Sequence, residues 1–191
     1  RWRLTSLAEQ TVLNPGNVHR ILAALLETGM VERDEDEYVV SDPGSLLEAW
    51  AESHRWPRDH VRLPVSGNLR GTLRDLMEVL DYSVVISGEF AAEAWAPYLP
   101  ARRALIHCLS QDAWARIREE DSARANRFAP PGHLAEGQLA VVLSDEGVAD
   151  HAQMVDGLPL AHPVQVYVDL FGDRGRGREA ADHVRNARLG Y

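Results

Sequence analysis

The sequence predicts an α+β protein in two parts, an amino-terminal winged helix-turn-helix and a small mixed α/β domain behind it. Three observations carry that expectation. A well-capped helical pattern over 14–29 follows a shorter one and precedes two short β-patterned runs. The stretch from Arg55 to Pro64 breaks the pattern with charge, Trp56 and two prolines. Beyond it, helix and strand patterns alternate from 68 to 143. The expected boundaries are 1–44 for the winged domain, 45–66 for a connecting helix and linker, and 67–191 for the α/β domain.

The first visible helix starts near Leu7, where Ser6 and Glu9 have capping-box spacing. A winged domain ordinarily carries one more helix ahead of this one, which is expected upstream or truncated. Asn14 is the N-cap of the second helix, and Pro15 takes the first helical position, where its missing N–H costs nothing. Val18, Ile21, Leu22, Leu25 and Leu26 recur at helical period and form the expected core face. Gly29 supplies the positive-φ stop. Val31 to Val40 then reads as a strand, a charged turn and a second strand.

In such a fold the second helix enters the major groove of DNA. Asn17, His19, Arg20 and Ala23 or Ala24 lie off the apolar stripe, and Asn and Arg suit adenine and guanine edges. The plainer reading is that they are only the solvated face of a core helix. Charge opposes a wing contact. The segment Glu32-Arg33-Asp34-Glu35-Asp36-Glu37 has five acids and one arginine, whereas a wing that grips phosphates should be basic. Contact with DNA is therefore expected through the second helix and through Arg1 and Arg3, with a homodimer pairing two weak half-sites.

Ser41-Asp42-Pro43-Gly44 is a turn, followed by a short helix through Leu46, Leu47 and Trp50 capped by Ser45. Helices are then expected over 68–80, 89–96 and 111–120, and strands over 83–88, 103–108 and 139–143. Residues 124–133 read as irregular and Pro-rich. A short strand and an Asp156-Gly157 turn fall in 150–159. Residues 163–171 suit a helix started by Pro163 and stopped by Gly172. Arg174-Gly175-Arg176-Gly177-Arg178 is a basic turn before a last helix over 179–189.

The 191 residues carry a net charge of −9, which argues against a general nucleic-acid-coating protein but not against a local reading face. No apolar run approaches the roughly 20 residues that cross a bilayer. The single Cys108 rules out an internal disulfide and a multi-cysteine metal site, and suits a reducing cytoplasm. All 20 basic residues are arginine, so lysine chemistry and a Walker loop are excluded. Eight histidines occur without a His-Glu-x-x-His motif. No metal, cofactor or catalytic residue is assigned.

Ser87-Gly88 between a strand and a helix, with a second strand following, resembles the start of a nucleotidyltransferase fold. Those enzymes place an Asp-x-Asp pair on the second strand to hold two Mg²⁺ ions. Here that strand reads Arg102-Arg103-Ala104-Leu105-Ile106-His107-Cys108, with no carboxylate. The domain is thus expected to be a degenerate, non-catalytic relative. Arg102, Arg103, Arg174, Arg176 and Arg178 become secondary candidates to meet DNA or another anion.

Taken together, the winged segment from Leu7 to Val40, Ser41-Asp42-Pro43-Gly44 with its helix, Ser87-Gly88-Glu89-Phe90-Ala91-Ala92 leading to Ala96-Pro97-Tyr98, and His162-Pro163-Val164-Gln165-Val166-Tyr167-Val168-Asp169-Leu170 resemble the AbiE-like antitoxin regulators of type IV toxin–antitoxin systems. The resemblance implies an autoregulating repressor acting on inverted repeats and a partner toxin of nucleotidyltransferase type. It maps DNA reading to Asn14, Asn17, His19 and Arg20. A sequence-specific regulator is the leading expectation. A protein-interaction module with an acidic wing is the alternative, and the missing carboxylates weigh against an enzyme.

Overall fold

The computed structural model describes all residues except 56, 58, 66, 67, 125–136, 174 and 175, and no side chain of 120–124. Its contacts divide the chain into two units, 1–50 with residue 191, and 51–190.

The first unit opens with β1 (Trp2–Arg3), α1 (Leu4–Thr11) and α2 (Pro15–Glu27), followed by β2 (Val31–Asp34) and β3 (Glu37–Val40). The strands form an antiparallel sheet in the order β1-β3-β2. Ala8, Val18, Leu22, Val31 and Tyr38 make the buried core, and Leu4, Leu7, Leu25, Leu26 and Val40 pack around it. β1 is an addition to the predicted plan. It pairs Trp2 with Tyr38 and Arg3 with Glu37, turning the two-stranded wing into three strands.

The start of α1 corrects one expectation. The helix begins at Leu4 with Arg3 in the N-cap position, so Ser6 lies inside it and no capping box forms. Ser6 Oγ instead accepts from Gln10 Nε2 at 3.1 Å. In α2 the cap is as predicted: Asn14 Oδ1 accepts from the Gly16 N–H at 2.8 Å, and Gly29 has φ +72°. The same device starts α3 (Pro43–Ser53), where Asp42, rather than Ser45, accepts the Ser45 N–H at 2.9 Å.

The second unit holds β4 (His60–Pro64), α4 (Leu69–Val79), β5 (Val84–Ser87), α5 (Gly88–Trp95), β6 (Ala104–Cys108), α6 (Gln111–Arg124), β7 (Gln138–Leu143), β8 (Gln153–Val155), β9 (Leu158–Leu160), α7 (Pro163–Phe171) and α8 (Arg176–Val184). Its mixed six-stranded sheet has the order β4-β7-β6-β5-β9-β8. β6 runs parallel to β7 and β5 to β9; the other three pairings are antiparallel. Every residue of β5 and β6 is buried, which explains runs such as Val84-Val85-Ile86 that do not alternate.

The succession predicted over 68–143 is present as α4–β5–α5–β6–α6–β7. These elements make a mixed α/β domain, and nothing in their arrangement assigns the nucleotidyltransferase fold specifically. Part of the predicted linker is structured: residues 60–64 form β4, paired antiparallel with β7. Val61 is buried in it, and Pro64 is tolerated because β4 is an edge strand. Asp156 (φ +51°) and Gly157 (φ +78°) form the tight turn between β8 and β9. The predicted last helix starts earlier, at Arg176, and ends in a π-helical turn over Arg185–Leu189 before Gly190 at φ +75°. The segment 125–133, most of the predicted irregular stretch, lies outside the described residues.

Candidate nucleic-acid interface

Helix α1 ends on Val12, whose φ of +54° turns the chain while its N–H and that of Leu13 satisfy the last carbonyls of the helix. A β-branched residue is costly in this left-handed region. Its side chain is 91% exposed, so packing does not offset that cost. Two residues later the Asn14 cap starts α2. Val18 and Leu22 fix the buried side of α2. Its solvent side presents a stripe of Asn17, Arg20, Ile21 and Ala24, all exposed and spaced i, i+3, i+4, i+7. Arg20 Nη2 donates to Asn17 Oδ1 at 2.8 Å, so the two residues best suited to base edges hold each other in place. His19 is exposed, about 100° around the helix from Arg20. Asn14 is also exposed, but its carboxamide oxygen is committed to the cap.

Ile21 departs from the sequence reading. Periodicity assigned it to the core face; it is 49% exposed and belongs to the outward stripe.

The amino-terminal arginines are held by the wing. Arg1 Nη1 lies 2.5 Å from Asp34 Oδ2 and 3.9 Å from Glu37 Oε2, and Arg3 Nε lies 4.0 Å from Glu37 Oε1. Arg33 pairs with Asp36 at 3.6 Å. Of the four arginines in residues 1–50, Arg20 alone has no carboxylate partner among the described residues. The acidic wing therefore neutralises its own unit's cations, and the reading helix keeps the one left over.

The secondary arginines do not form one free patch. Arg103 is enclosed by Glu89 and by Asp173, whose Oδ2 is 2.7 Å away. Burial opposes its charge, but the bonds and attraction from Glu89 and then Asp173 prevail, and its pKa is raised. Arg102 is exposed, and its backbone N–H donates to Glu89 Oε2 at 3.2 Å. Arg176 donates to the Pro100 carbonyl at 2.8 Å. Arg178 lies 3.3 Å from Asp182 and stacks 3.9 Å above the Phe171 ring centre. Arg174 lies outside the described residues.

The second unit contains a buried polar cluster that sequence reading missed. Asp169 of α7, 1% exposed, accepts from Ser87 Oγ at 2.5 Å and from Gln165 Nε2 at 2.9 Å. His107 Nε2 is 3.0 Å from the same carboxylate, and its Nδ1 is 2.8 Å from Ser144 Oγ. The tautomer with its proton on Nε2 satisfies both partners. The serine donates to the aspartate and not to the histidine, so this is not the arrangement that activates a nucleophile. It ties α7 to β5 and β6. Gly88 helps make the close approach: its φ is +72°, and a Cβ there would stand 3.0 Å from the Leu105 nitrogen. Among the described residues no group of three or more His, Cys, Asp or Glu is placed to hold a metal, and no helix is long and apolar enough to cross a membrane.

Residues 1–35 match the family model of the IclR helix-turn-helix domain. The first unit carries an IclR-type DNA-binding helix-turn-helix. By this domain the chain is similar to DNA-binding transcriptional regulators. That match overturns the AbiE-like antitoxin resemblance, and with it goes the support for the toxin partner that the resemblance implied. The reason is physical. A capped second helix, a glycine stop and a short hairpin are demanded by any winged helix-turn-helix, so these features fix the fold and not the family. No curated protein matches the chain.

Proposed function

We propose that the chain is a sequence-specific regulator that reads the major groove with the outward stripe of α2, Asn17 and Arg20 making the base-edge contacts. The observation that carries this reading is the mutually hydrogen-bonded Asn17–Arg20 pair on the exposed face of a capped helix within the IclR helix-turn-helix match. Arg suits guanine O6/N7 and Asn suits adenine N6/N7, each through two parallel hydrogen bonds. The buried side of α2 anchors the helix, so its outward side chains are presented on a rigid element.

With one unpaired arginine in the reading unit, phosphate attraction supplies little affinity per protomer. A homodimer on an inverted repeat doubles the contacts and fits this economy of charge. Arg1 and Arg3 serve such a complex only by leaving Asp34 and Glu37. The acidic wing favours a second reading, in which the unit contacts protein rather than DNA.

Selecting bound fragments from a random DNA library with the full chain, at low and at moderate salt, separates the two. The DNA reading expects an enriched inverted repeat at both salts. No enrichment at low salt contradicts it and supports the protein-contact reading.

A further inference from the structure

We infer that Ile21 is a specificity-determining residue that reads a thymine methyl group beside the base contacted by Arg20. The inference rests on the DNA reading of α2 proposed above.

Ile21 lies about 60° around α2 from Val18, yet it is 49% exposed while Val18 and Leu22 are buried. Its neighbours on the outward stripe are Asn17 one turn before, Arg20 beside it and Ala24 one turn after. It is the large apolar side chain of that stripe, set among the groups best suited to polar base edges. In a major groove, the apolar feature that distinguishes one base pair from another is the thymine C5-methyl. A β-branched side chain on a helix is held in essentially one χ1 rotamer, so Ile21 presents its methyls in a fixed direction at little entropic cost.

Charge gives a second argument. Arg1, Arg3 and Arg33 are engaged by the acidic wing, which leaves the face poor in phosphate-binding groups. A face of this kind must draw discrimination from contacts at the base edges, and removal of apolar surface from water is a contribution that salt does not screen.

The test begins with DNA enriched by the full chain from a random library. Each thymine of the enriched site is replaced in turn by deoxyuridine, which removes one methyl and leaves base pairing intact. Wild-type protein is expected to lose affinity about fourfold at one thymine per half-site, the effect of one methyl-sized apolar contact. Ile21→Ala is expected to bind the thymine site more weakly and to be indifferent to uracil at that position, while keeping its discrimination at the base read by Arg20. Ile21→Val, which retains a β-branched methyl pair, is expected to keep most of the uracil sensitivity. Equal uracil sensitivity in wild type and Ile21→Ala overturns the assignment to Ile21, as does a wild type insensitive to uracil throughout. Absence of any enriched sequence overturns the DNA reading itself, and this inference with it.

Discussion

Replacing Asp34 with Asn and Glu37 with Gln releases Arg1 and Arg3 without changing side-chain size. In the wild-type unit these acids hold both arginines, leaving Arg20 as the one cation without a carboxylate partner among the described residues. The logarithm of affinity for duplex DNA falls with the logarithm of salt by about 0.9 per phosphate neutralised. Two released arginines that each neutralise one phosphate steepen that slope by about 1.8 per protomer, with Arg20 kept on its base edge in both proteins. Between about 50 and 200 mM salt the variant should therefore lose roughly twelvefold more affinity per protomer than wild type. The ion pairs removed are exposed, with side-chain accessibilities of 61% for Arg1 and 55% for Asp34, so the fold should lose less than about 1 kcal/mol. Fluorescence anisotropy with DNA enriched by the full chain reads the slopes directly. Parallel lines for wild type and variant would refute the reasoning that the wing sequesters these arginines from DNA.

Three further outcomes follow from particular residues. Val12→Gly removes a β-branched side chain from a left-handed position while adding unfolded-chain entropy, and should stabilise the protein by about 0.5–1 kcal/mol in urea denaturation; a destabilised variant contradicts the strain at φ +54°. Asp169→Ala leaves Ser87, Gln165 and His107 without their buried acceptor and should cost roughly 3–5 kcal/mol, against a cost under about 1 kcal/mol if the cluster does not hold α7 in place. His162 has its pKa lowered from 6.5 by burial and then by nearby His151, and its Nδ1 accepts the Val164 N–H at 3.3 Å to cap α7. Because the folded state disfavours the protonated ring, stability is fully present above about pH 6.5 and falls as pH drops towards the lowered pKa. His162→Asn, a cap that does not titrate, should remove that part of the pH dependence of the melting temperature.

The parts of this fold that are legible in sequence are those governed by neighbours in the chain. The Asn14-Pro15 start of α2, the Gly29 stop and the Asp156-Gly157 hairpin each follow from local backbone chemistry. The charge of the wing was equally plain, but its partners were not. Arg1 meets Asp34, 33 positions along the chain, only because β1 joins β3 and β3 in turn joins β2. Ile21 sits at the margin of the apolar stripe, where period alone does not tell a core position from a surface one. β4 was hidden by charge and proline, although Val61 and Leu63 alternate with polar neighbours as an edge strand should. The buried cluster joins Ser87 to Asp169 across 82 positions and His107 to Asp169 across 62, and no local rule brings such residues together. The AbiE-like resemblance misleads for a related reason: its amino-terminal features are those any winged helix-turn-helix requires, and its two motifs in the second unit are short local patterns that fix no family.

The central claim is that the outward stripe of α2 supplies sequence recognition. Competition binding with the enriched inverted repeat against scrambled DNA of equal length, using wild type and the Asn17→Ala/Arg20→Ala double variant of the full chain, tests it most directly. Each lost base-edge contact is worth about 1–3 kcal/mol of discrimination, so two lost contacts should reduce the preference for the repeat by at least about thirtyfold per protomer. Residual binding to scrambled DNA should change far less. A double variant that keeps the wild-type preference would show that recognition resides elsewhere in the chain.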